Sequence, residues 1–139
     1  MESPGMGRVL IVDDEPIVAK TLHEIFKRAG FEIRTAGSAE EALLCVGAQS
    51  WAPAFALVDV KLPGMNGLEL AALLEKICPW CTVALFSGDA YTADLLDLAA
   101  VEGQFYEVMA KPVPPHHLLH LARRALEAGS WGEQMLQQG

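Results

Sequence analysis

The chain alternates five times between a short run of apolar residues and a stretch in which apolar residues recur at helical spacing. The first run, Arg8 to Val12, is continuously apolar after its first residue and rich in β-branched side chains, which is typical of a strand buried on both faces. Repeated strand–helix units favour a parallel sheet covered by helices on both sides. With 139 residues, 52% of them hydrophobic, the chain is long enough to build one such α/β domain around its own core.

Residues that begin and end helices divide the chain further. We predict strands at 8–12, about 32–35, 55–59, 82–86 and about 105–110, with a helix at about 91–102 and a last helix from about 115. Pro16 is predicted early in the first helix and Gly30 at its end. Ser38 and Glu41 have the spacing of a capping box at the start of the second helix. Gly129 is predicted to end the last helix, which leaves 129–139 as a tail or the start of a linker.

The charge balance excludes some classes of partner. A formal net charge of −8 repels nucleic-acid phosphates and anionic membrane surfaces. No apolar stretch is long enough to span a bilayer, and the first residues lack the basic start and apolar run of a signal peptide. We therefore expect a cytoplasmic protein that contacts neither nucleic acid nor a membrane directly.

The chain has three cysteines, Cys45, Cys78 and Cys81, and an odd number does not indicate a disulfide framework. Cys78 and Cys81 have C-x-x-C spacing. A redox pair of this kind is typically found at the start of a helix that follows a strand, whereas this pair follows a helical pattern and precedes a strand. A structural zinc site needs four ligands, and the sequence has no second close pair of cysteines. We expect buried or loop thiols.

Polar residues lie at the carboxyl ends of four predicted strands. Asp13 and Asp14 follow the first strand. Asp59, Ser87 and Lys111 stand at the ends of the third, fourth and fifth strands. Because the carboxyl ends of parallel strands lie at one edge of a sheet, we expect all these side chains to converge there. Taken singly, each also fits a plain structural role as a helix cap, a turn residue or a solvated charge.

The residue types at this edge suit phosphoryl transfer. Carboxylate oxygens are ligands that Mg²⁺ prefers, and a carboxylate can attack phosphorus to form an acyl phosphate. A metal ion, a lysine and a hydroxyl can stabilise the charge of the transferring group. The set therefore predicts a Mg²⁺-dependent site that accepts a phosphoryl group.

Four segments around these residues resemble motifs of the receiver domain of two-component response regulators, and the resemblance covers about residues 7–128. Val58 to Glu69 is similar to the family's phosphoacceptor region, and Val9 to Pro16 to its acidic-pair region. Phe86-Ser87-Gly88 and Ala110-Lys111-Pro112 are similar to the two remaining motifs. The resemblance implies a flavodoxin-like doubly wound fold, with a five-stranded parallel sheet in the order 2-1-3-4-5 and helices on both faces.

The resemblance also implies the roles of the acidic residues. Asp59 is expected to be the phosphoacceptor. Asp14 and Asp59 are expected to bind Mg²⁺ directly, together with the backbone carbonyl of Lys61. Asp13 is expected to bind the ion directly or through a water molecule.

For the remaining site residues, the resemblance implies contacts with the phosphoryl group. Ser87 is expected to donate a hydrogen bond to a phosphoryl oxygen and to shift toward it on activation. Lys111 is expected to pair with the group, and the Lys111–Pro112 peptide bond to be cis. The family's switch aromatic, three residues before the lysine, is replaced by Val108. Either Tyr106, on the same strand face, substitutes for it, or the switch runs through the backbone.

Two further residues are expected to border the phosphoryl pocket. Lys61 and Asp89 lie two places after Asp59 and Ser87 respectively. We hypothesise an ion pair between them that controls the access of water to the phosphoryl group. If exposed, such a pair contributes at most ~1 kcal/mol to stability.

These expectations describe a signalling protein that is not itself an enzyme. A sensor histidine kinase or a histidine phosphotransfer protein would supply the phosphoryl group, and a downstream protein target or output domain would respond. The responding surface would comprise the predicted helix at 91–102, the fifth strand and the last helix, where the family also often forms homodimers. Because no output domain follows residue 129 in this sequence, we expect either a single-domain regulator or a sequence that stops before an output domain, and Met1 with the short tail slightly favours the first.

Two other functions remain as alternatives. An aspartate-nucleophile phosphatase of the haloacid dehalogenase kind uses similar residues, but its nucleophile belongs to a D-x-D pattern on the first strand. Here Asp13 and Asp14 are adjacent, and no cap insertion is present. A protein-binding module that works without phosphorylation would be favoured by a missing site residue, and none is missing.

Overall fold

The protein is described by a computed structural model that covers residues 7–88 and 108–138. Its elements, in chain order, are β1 (Arg8–Val12), α1 (Pro16–Arg28), β2 (Glu32–Ala36), α2 (Ala39–Val46), β3 (Phe55–Asp59), α3 (Gly67–Ile77), β4 (Thr82–Ser87), β5 (Val108–Ala110) and α4 (Pro115–Gln138). All strand pairs are parallel, and the five-stranded sheet has the order β2-β1-β3-β4-β5. This confirms the predicted fold class and strand order. The predicted helix at 91–102 and residues 105–107 of the predicted fifth strand lie outside the described residues.

Helices cover the sheet on both faces, which explains the unbroken apolar runs of the central strands. Alternate residues of a strand point to opposite faces. One core cluster packs against α2 and α3, and its residues from the three central strands are Leu10, Val12, Ala56, Val58 and Leu85. The other packs against α1 and α4, and its residues from the same strands are Val9, Ile11, Phe55, Leu57 and Phe86. Both side-chain sets of a central strand are therefore buried, as in other parallel sheets with two covered faces.

Helix α1 begins and ends where the sequence predicts. Pro16 is its first residue, where the missing N–H of proline removes no helical hydrogen bond. Gly30 follows the capping residue Ala29 and has a φ of +95°, a left-handed conformation that glycine adopts without steric cost.

The start of α2 confirms half of the predicted capping box. The hydroxyl of Ser38 accepts a hydrogen bond from the backbone N–H of Glu41 at 3.1 Å. The carboxylate of Glu41, however, accepts from the backbone N–H of Gly37 at 2.9 Å, one residue before the capping residue. A complete reciprocal box occurs instead at the start of α3, between Asn66 and Glu69.

The prediction that Gly129 ends the last helix is wrong, because α4 continues to Gln138. A glycine inside a helix costs only about 1 kcal/mol relative to alanine, and α4 contains two of them, Gly129 and Gly132. Further along the helix, Glu133 to Gln138 are all good helix formers, which offset that cost.

Within the described ranges, no helix is both long and apolar enough to cross a membrane.

Candidate functional site

The carboxyl ends of four strands bring the predicted site residues to one edge of the sheet. Asp13 directly follows β1, Asp59 and Ser87 are the last residues of β3 and β4, and Lys111 directly follows β5. The backbone bonding of the sheet continues into this edge. The N–H of Asp13 donates to the carbonyl of Ala36 at 3.0 Å, and the N–H of Lys111 donates to the carbonyl of Ser87 at 3.1 Å. The sheet itself therefore fixes the positions from which these side chains extend.

The ammonium group of Lys111 lies among the carboxylates. The Nζ of Lys111 is 3.1 Å from Asp13 Oδ2, 3.0 Å from Asp59 Oδ2 and 3.5 Å from Glu15 Oε1. Asp13 and Asp59 are only 2% and 4% exposed. Buried carboxylates are costly unless a cation or hydrogen-bond donors satisfy them, so Lys111 makes this acidic pair tolerable in the folded chain.

The second oxygen of each buried carboxylate is held by the backbone. The N–H of Lys61 donates to Asp59 Oδ1 at 3.2 Å, and the N–H of Glu15 donates to Asp13 Oδ1 at 2.9 Å. In both cases the donor lies two residues after the acceptor, as in an Asx turn. Lys111 and these turns together fix the orientation of both carboxylates.

The electrostatic balance at Asp59 disfavours its charged form. Burial raises the pKa of the Asp59 carboxyl, and the hydrogen bond and charge of Lys111 only partly offset this effect. The neighbouring Asp13 raises the pKa further. For Lys111, burial alone would lower the pKa, but the hydrogen bonds to Asp59 and Asp13 outweigh it and the pKa is raised. The lysine therefore stays charged at neutral pH.

The raised pKa of Asp59 predicts a pH-dependent effect of Asp59→Asn on stability. At neutral pH the folded chain holds a carboxylate that is better accommodated in the unfolded chain, so the neutral amide is expected to raise the thermal midpoint. Lys111 keeps Asp13 and Glu15 as partners in this variant. The gain should shrink as the pH falls through the raised pKa of the folded state towards 3.8, the ordinary value.

Thermal unfolding of both proteins across the acidic to neutral range measures this effect. The exposed Glu75→Gln substitution removes the same charge from the surface and is expected to leave the midpoint nearly unchanged. A lower midpoint for Asp59→Asn at neutral pH would contradict the electrostatic account.

The carboxylates at this edge fit a hard divalent cation. Asp13, Asp14 and Asp59 each offer an oxygen, and these oxygens lie within 4.8 Å of one another. Asp14 is exposed, whereas the other two are buried, so the cluster can be reached from solvent on one side. It borders a cavity of about 540 Å³ whose lining includes Asp14, Glu15, Asp59, Lys61, Ser87 and Lys111. Oxygen ligands in an open, partly solvated cavity are the kind of site that Mg²⁺ occupies in proteins.

Comparison with known sequences identifies the family. A sequence profile described as the response regulator receiver domain matches residues 9–123. The chain belongs to the response regulator receiver domain family. The receiver domain is a component of two-component regulatory systems, and the order of its strands is the one observed here.

Relatives of this receiver domain are regulatory proteins of greater length. The C4-dicarboxylate transport transcriptional regulatory protein DctD of Pseudomonas aeruginosa is 31% identical over 120 residues, which are 86% of this chain and 25% of DctD. The photosynthetic apparatus regulatory protein RegA of Cereibacter sphaeroides is 31% identical over 112 residues, which are 81% of this chain and 59% of RegA. This chain thus spans a quarter of the length of DctD and less than two thirds of RegA.

Solved structures show the same fold. A crystal structure of a CheY-like response regulator receiver domain protein from Methanospirillum hungatei JF-1 matches with a TM-score of 0.76 and 27% sequence identity. The match covers 90% of this chain and 97% of that protein. The likeness therefore extends over nearly the whole receiver domain.

Of the other residues predicted for the site and the switch, the structure describes some and not others. The Lys111–Pro112 peptide bond is cis, as the resemblance implies. Val108 is half-buried and packs against the core cluster on the α2 and α3 face. Tyr106 and Asp89 lie outside the described residues, so the substitution of Tyr106 for the switch aromatic and the Lys61–Asp89 ion pair stay predictions.

Two contacts of Lys111 in the receiver domain were not predicted from the sequence. Its Nζ lies 4.6 Å from the centroid of the Phe86 ring, a cation–π distance. It also reaches Glu15, which the sequence placed only within the acidic-pair segment Val9 to Pro16 and to which no role was assigned. The Phe86 contact depends on the packing of β4 beside β5, and no spacing in the sequence signals it. Glu15 could have been suspected because it adjoins the acidic pair.

Gly67 is a third feature that was not predicted as part of the site. It is the first residue of α3, and its N–H donates to the carbonyl of Val60 at 2.9 Å. A Cβ at this position would lie 2.8 Å from Val60 Cα and would clash with the backbone carbonyl oxygen of Asp59. The start of α3 therefore packs directly on the end of β3, and only glycine allows this approach.

Proposed function

We propose that this receiver domain accepts a phosphoryl group on Asp59, in a reaction that depends on Mg²⁺, and that the modification switches a protein-binding surface. The observation that carries the proposal is the position of Asp59. Its carboxylate ends β3 at a cavity wall, 3.0 Å from the Lys111 ammonium and within reach of two further carboxylates. A nucleophile, a cation for the incoming charge and a metal-binding oxygen cluster thus share one cavity.

The proposed step moves a phosphoryl group from nitrogen to oxygen. A phosphohistidine of a sensor histidine kinase or of a histidine phosphotransfer protein would be the donor. One carboxylate oxygen of Asp59 attacks phosphorus, an O–P bond forms, and the N–P bond of the donor breaks. The released imidazole nitrogen takes a proton from solvent. The receiver domain is the acceptor in this exchange, and the kinase is the enzyme.

The residues beside Asp59 would stabilise the acquired charge. Lys111 already contacts the Asp59 carboxylate, so a phosphoryl group attached there would lie within its reach. The cation–π contact with the Phe86 ring would help to hold the Lys111 ammonium in this position. Ser87, 7% exposed, lines the same cavity and would donate a hydrogen bond to a phosphoryl oxygen.

The acidic cluster would hold the metal ion. Asp13, Asp14 and Asp59 would supply carboxylate oxygens and Lys61 its backbone carbonyl. When bound, Mg²⁺ would neutralise part of the negative charge shared by the carboxylates and the incoming phosphoryl group. Lys111 would supply further positive charge to the site.

Removal of the metal is expected to stop phosphoryl uptake. Intact mass measured after incubation with acetyl phosphate and Mg²⁺ should show one added phosphoryl group, and EDTA should prevent it.

Asp14→Asn is expected to weaken Mg²⁺ binding by about tenfold or more, because a direct ligand loses its charge while the partners of Lys111 are untouched.

Calorimetric titration with Mg²⁺ measures the effect of Asp14→Asn. Glu75→Gln, an exposed charge on α3, is the matched control and should bind like the wild-type chain. Equal affinity of all three proteins, or uptake that persists in EDTA, would refute the metal-dependent proposal and favour a binding module that works without phosphorylation.

A route from the site to the switching surface is available through the sheet. Ser87 pairs with Ala110 in the β4–β5 register and accepts the N–H of Lys111. A shift of Ser87 towards a phosphoryl group would therefore move the backbone of β5, which also carries Val108. We propose that this backbone path, with or without a contribution of Tyr106, alters a surface recognised by a downstream protein target, an output domain or a second copy of the chain.

A further inference from the structure

The turn between α3 and β4 brings two cysteines together at the end of the sheet opposite the phosphoacceptor. Cys78 caps the end of α3, and Cys81 directly precedes β4. The N–H of Cys81 donates to the carbonyl of Cys78 at 3.0 Å, which closes a β-turn with Pro79 and Trp80 at its centre. Such turns hold their first and fourth Cα atoms within about 7 Å, close to the span that disulfide bonds bridge.

The two thiols interact with each other and are not equivalent. Both are reduced and buried, with exposures of 4% for Cys78 and 8% for Cys81. A hydrogen bond from the Cys81 side chain lowers the pKa of the Cys78 thiol. The same interaction, with burial, raises the pKa of the Cys81 thiol well above its ordinary value. Cys78 is therefore the better nucleophile, and Cys81 is the thiol that holds its proton more firmly.

The placement of the pair after a helix argued against a redox role, because the start of a helix normally stabilises the thiolate. The structure supplies a different source of stabilisation, the neighbouring thiol. A metal site does not account for the pair, since the Asp13, Asp14 and Asp59 cluster is the one group of three or more candidate ligands in the described part of the chain. The side chains also contact the carbonyls of Pro53 and Thr82 at 3.7 and 3.8 Å, and a carbonyl oxygen does not compete for disulfide formation.

We propose that Cys78 and Cys81 form a reversible redox pair that a small hydroperoxide converts to an intramolecular disulfide. The Cys78 thiolate attacks a peroxide oxygen, the O–O bond breaks, and a sulfenic acid and one water or alcohol result. The Cys81 sulfur then attacks the Cys78 sulfur, the S–S bond forms, the S–O bond of the sulfenic acid breaks, and the hydroxyl group leaves as water with the proton of the Cys81 thiol. In total two thiols lose two electrons and two protons to one hydroperoxide. A dithiol reductant reduces the disulfide by thiol–disulfide exchange, so that the S–S bond of the pair breaks, both cysteine thiols are restored and the reductant becomes the disulfide.

The turn is accessible enough for a small oxidant. Pro79 is exposed and Trp80 half-buried, so the turn lies at the surface although its sulfur atoms face inward. Hydrogen peroxide is close to water in size and needs less opening of the turn than a bulky disulfide would. The pair does not depend on the proposed function of Asp59, because no atom of the phosphoacceptor site takes part in the oxidation.

Oxidation of the intact, reduced chain with hydrogen peroxide tests the proposal. After denaturation and alkylation, two of the three thiols are expected to be blocked, and peptide mapping should place the disulfide between Cys78 and Cys81. Dithiothreitol should restore all three thiols. Cys45→Ser is the matched control, because Cys45 is equally buried outside the turn, and it should form the same disulfide.

Single substitutions distinguish the role of Cys78, which attacks the peroxide, from that of Cys81, which closes the disulfide. Cys81→Ser should leave a sulfenic acid on Cys78 that a dimedone probe captures, whereas Cys78→Ser should give neither a disulfide nor capture. Circular dichroism of the reduced variants confirms folding, and the peptide map of the wild-type chain stands even if a variant does not fold. Three free thiols after treatment, a disulfide that includes Cys45, or direct over-oxidation of Cys78 without a disulfide would overturn the proposal.

Discussion

Asp59→Asn is expected to abolish the uptake of a phosphoryl group from acetyl phosphate, with an initial rate at least about a thousandfold below that of the wild-type chain. The amide has nearly the same shape as the carboxylate but is not a nucleophile toward phosphorus. The surroundings remain, because Lys111 still has Asp13 and Glu15 as partners. Intact mass followed over time, with Mg²⁺ present, measures the rate.

Two comparisons make this loss specific to the acceptor. Glu75→Gln removes a charge from the exposed face of α3 and should take up the phosphoryl group at the wild-type rate. A cooperative thermal transition of Asp59→Asn would show that the variant folds. We expect its midpoint at neutral pH to be higher than that of the wild-type chain. Uptake by Asp59→Asn at a rate close to that of the wild-type chain would mean that another group is the acceptor.

Gly67→Ala is expected to destabilise the chain by about 3 kcal/mol, one of the largest effects available to a single added methyl group. The three heavy atoms nearest to the new Cβ would all belong to the backbone, namely the carbonyl carbon and oxygen of Asp59 and the Cα of Val60. A flexible side chain could move aside, but backbone at the end of a buried strand cannot do so without displacing Asp59 itself. Denaturant unfolding measures the loss, and phosphoryl uptake should be slower even where the variant remains folded.

Gly37→Ala provides the matched control. A Cβ at Gly37 would approach only the carboxylate of Glu41, at 3.6 Å, which is an ordinary contact distance. This substitution is expected to leave stability unchanged or to raise it by up to about 1 kcal/mol, because alanine loses less backbone entropy on folding. If both variants unfold at the same denaturant concentration, the start of α3 does not constrain the end of β3 as described.

The fold was predictable because each strand leaves a local trace in the sequence. β1 and β3 are buried on both faces, so they appear as unbroken apolar runs, and both were predicted with the observed ends. The acidic cluster followed from one topological rule, that the carboxyl ends of parallel strands share an edge. This rule brings Lys111 within 3.1 Å of Asp13, although 98 positions separate them in the chain.

The remaining features depend on distances that no local pattern records. Gly67 was covered only by the segment Val58 to Glu69, and its close approach to the backbone of β3 is seen only when α3 packs on β3. Phe86 lies under Lys111 because β4 and β5 are neighbours in a particular register. Gly129 led to the opposite error, since glycine often ends helices but is also tolerated within one when good helix formers, here Glu133 to Gln138, follow further along.

The most direct test of the central claim locates the phosphoryl group on the wild-type chain. Borohydride reduces an acyl phosphate to an alcohol, so treatment of the phosphorylated protein should convert the acceptor aspartate to homoserine, which peptide sequencing by mass spectrometry identifies. We predict homoserine at Asp59 and at neither Asp13 nor Asp14. When EDTA is present during the incubation with the phosphoryl donor, we predict no homoserine at any position. Homoserine at another position, or none at all in a sample whose intact mass shows a bound phosphoryl group, would contradict the assignment of Asp59 as the phosphoacceptor.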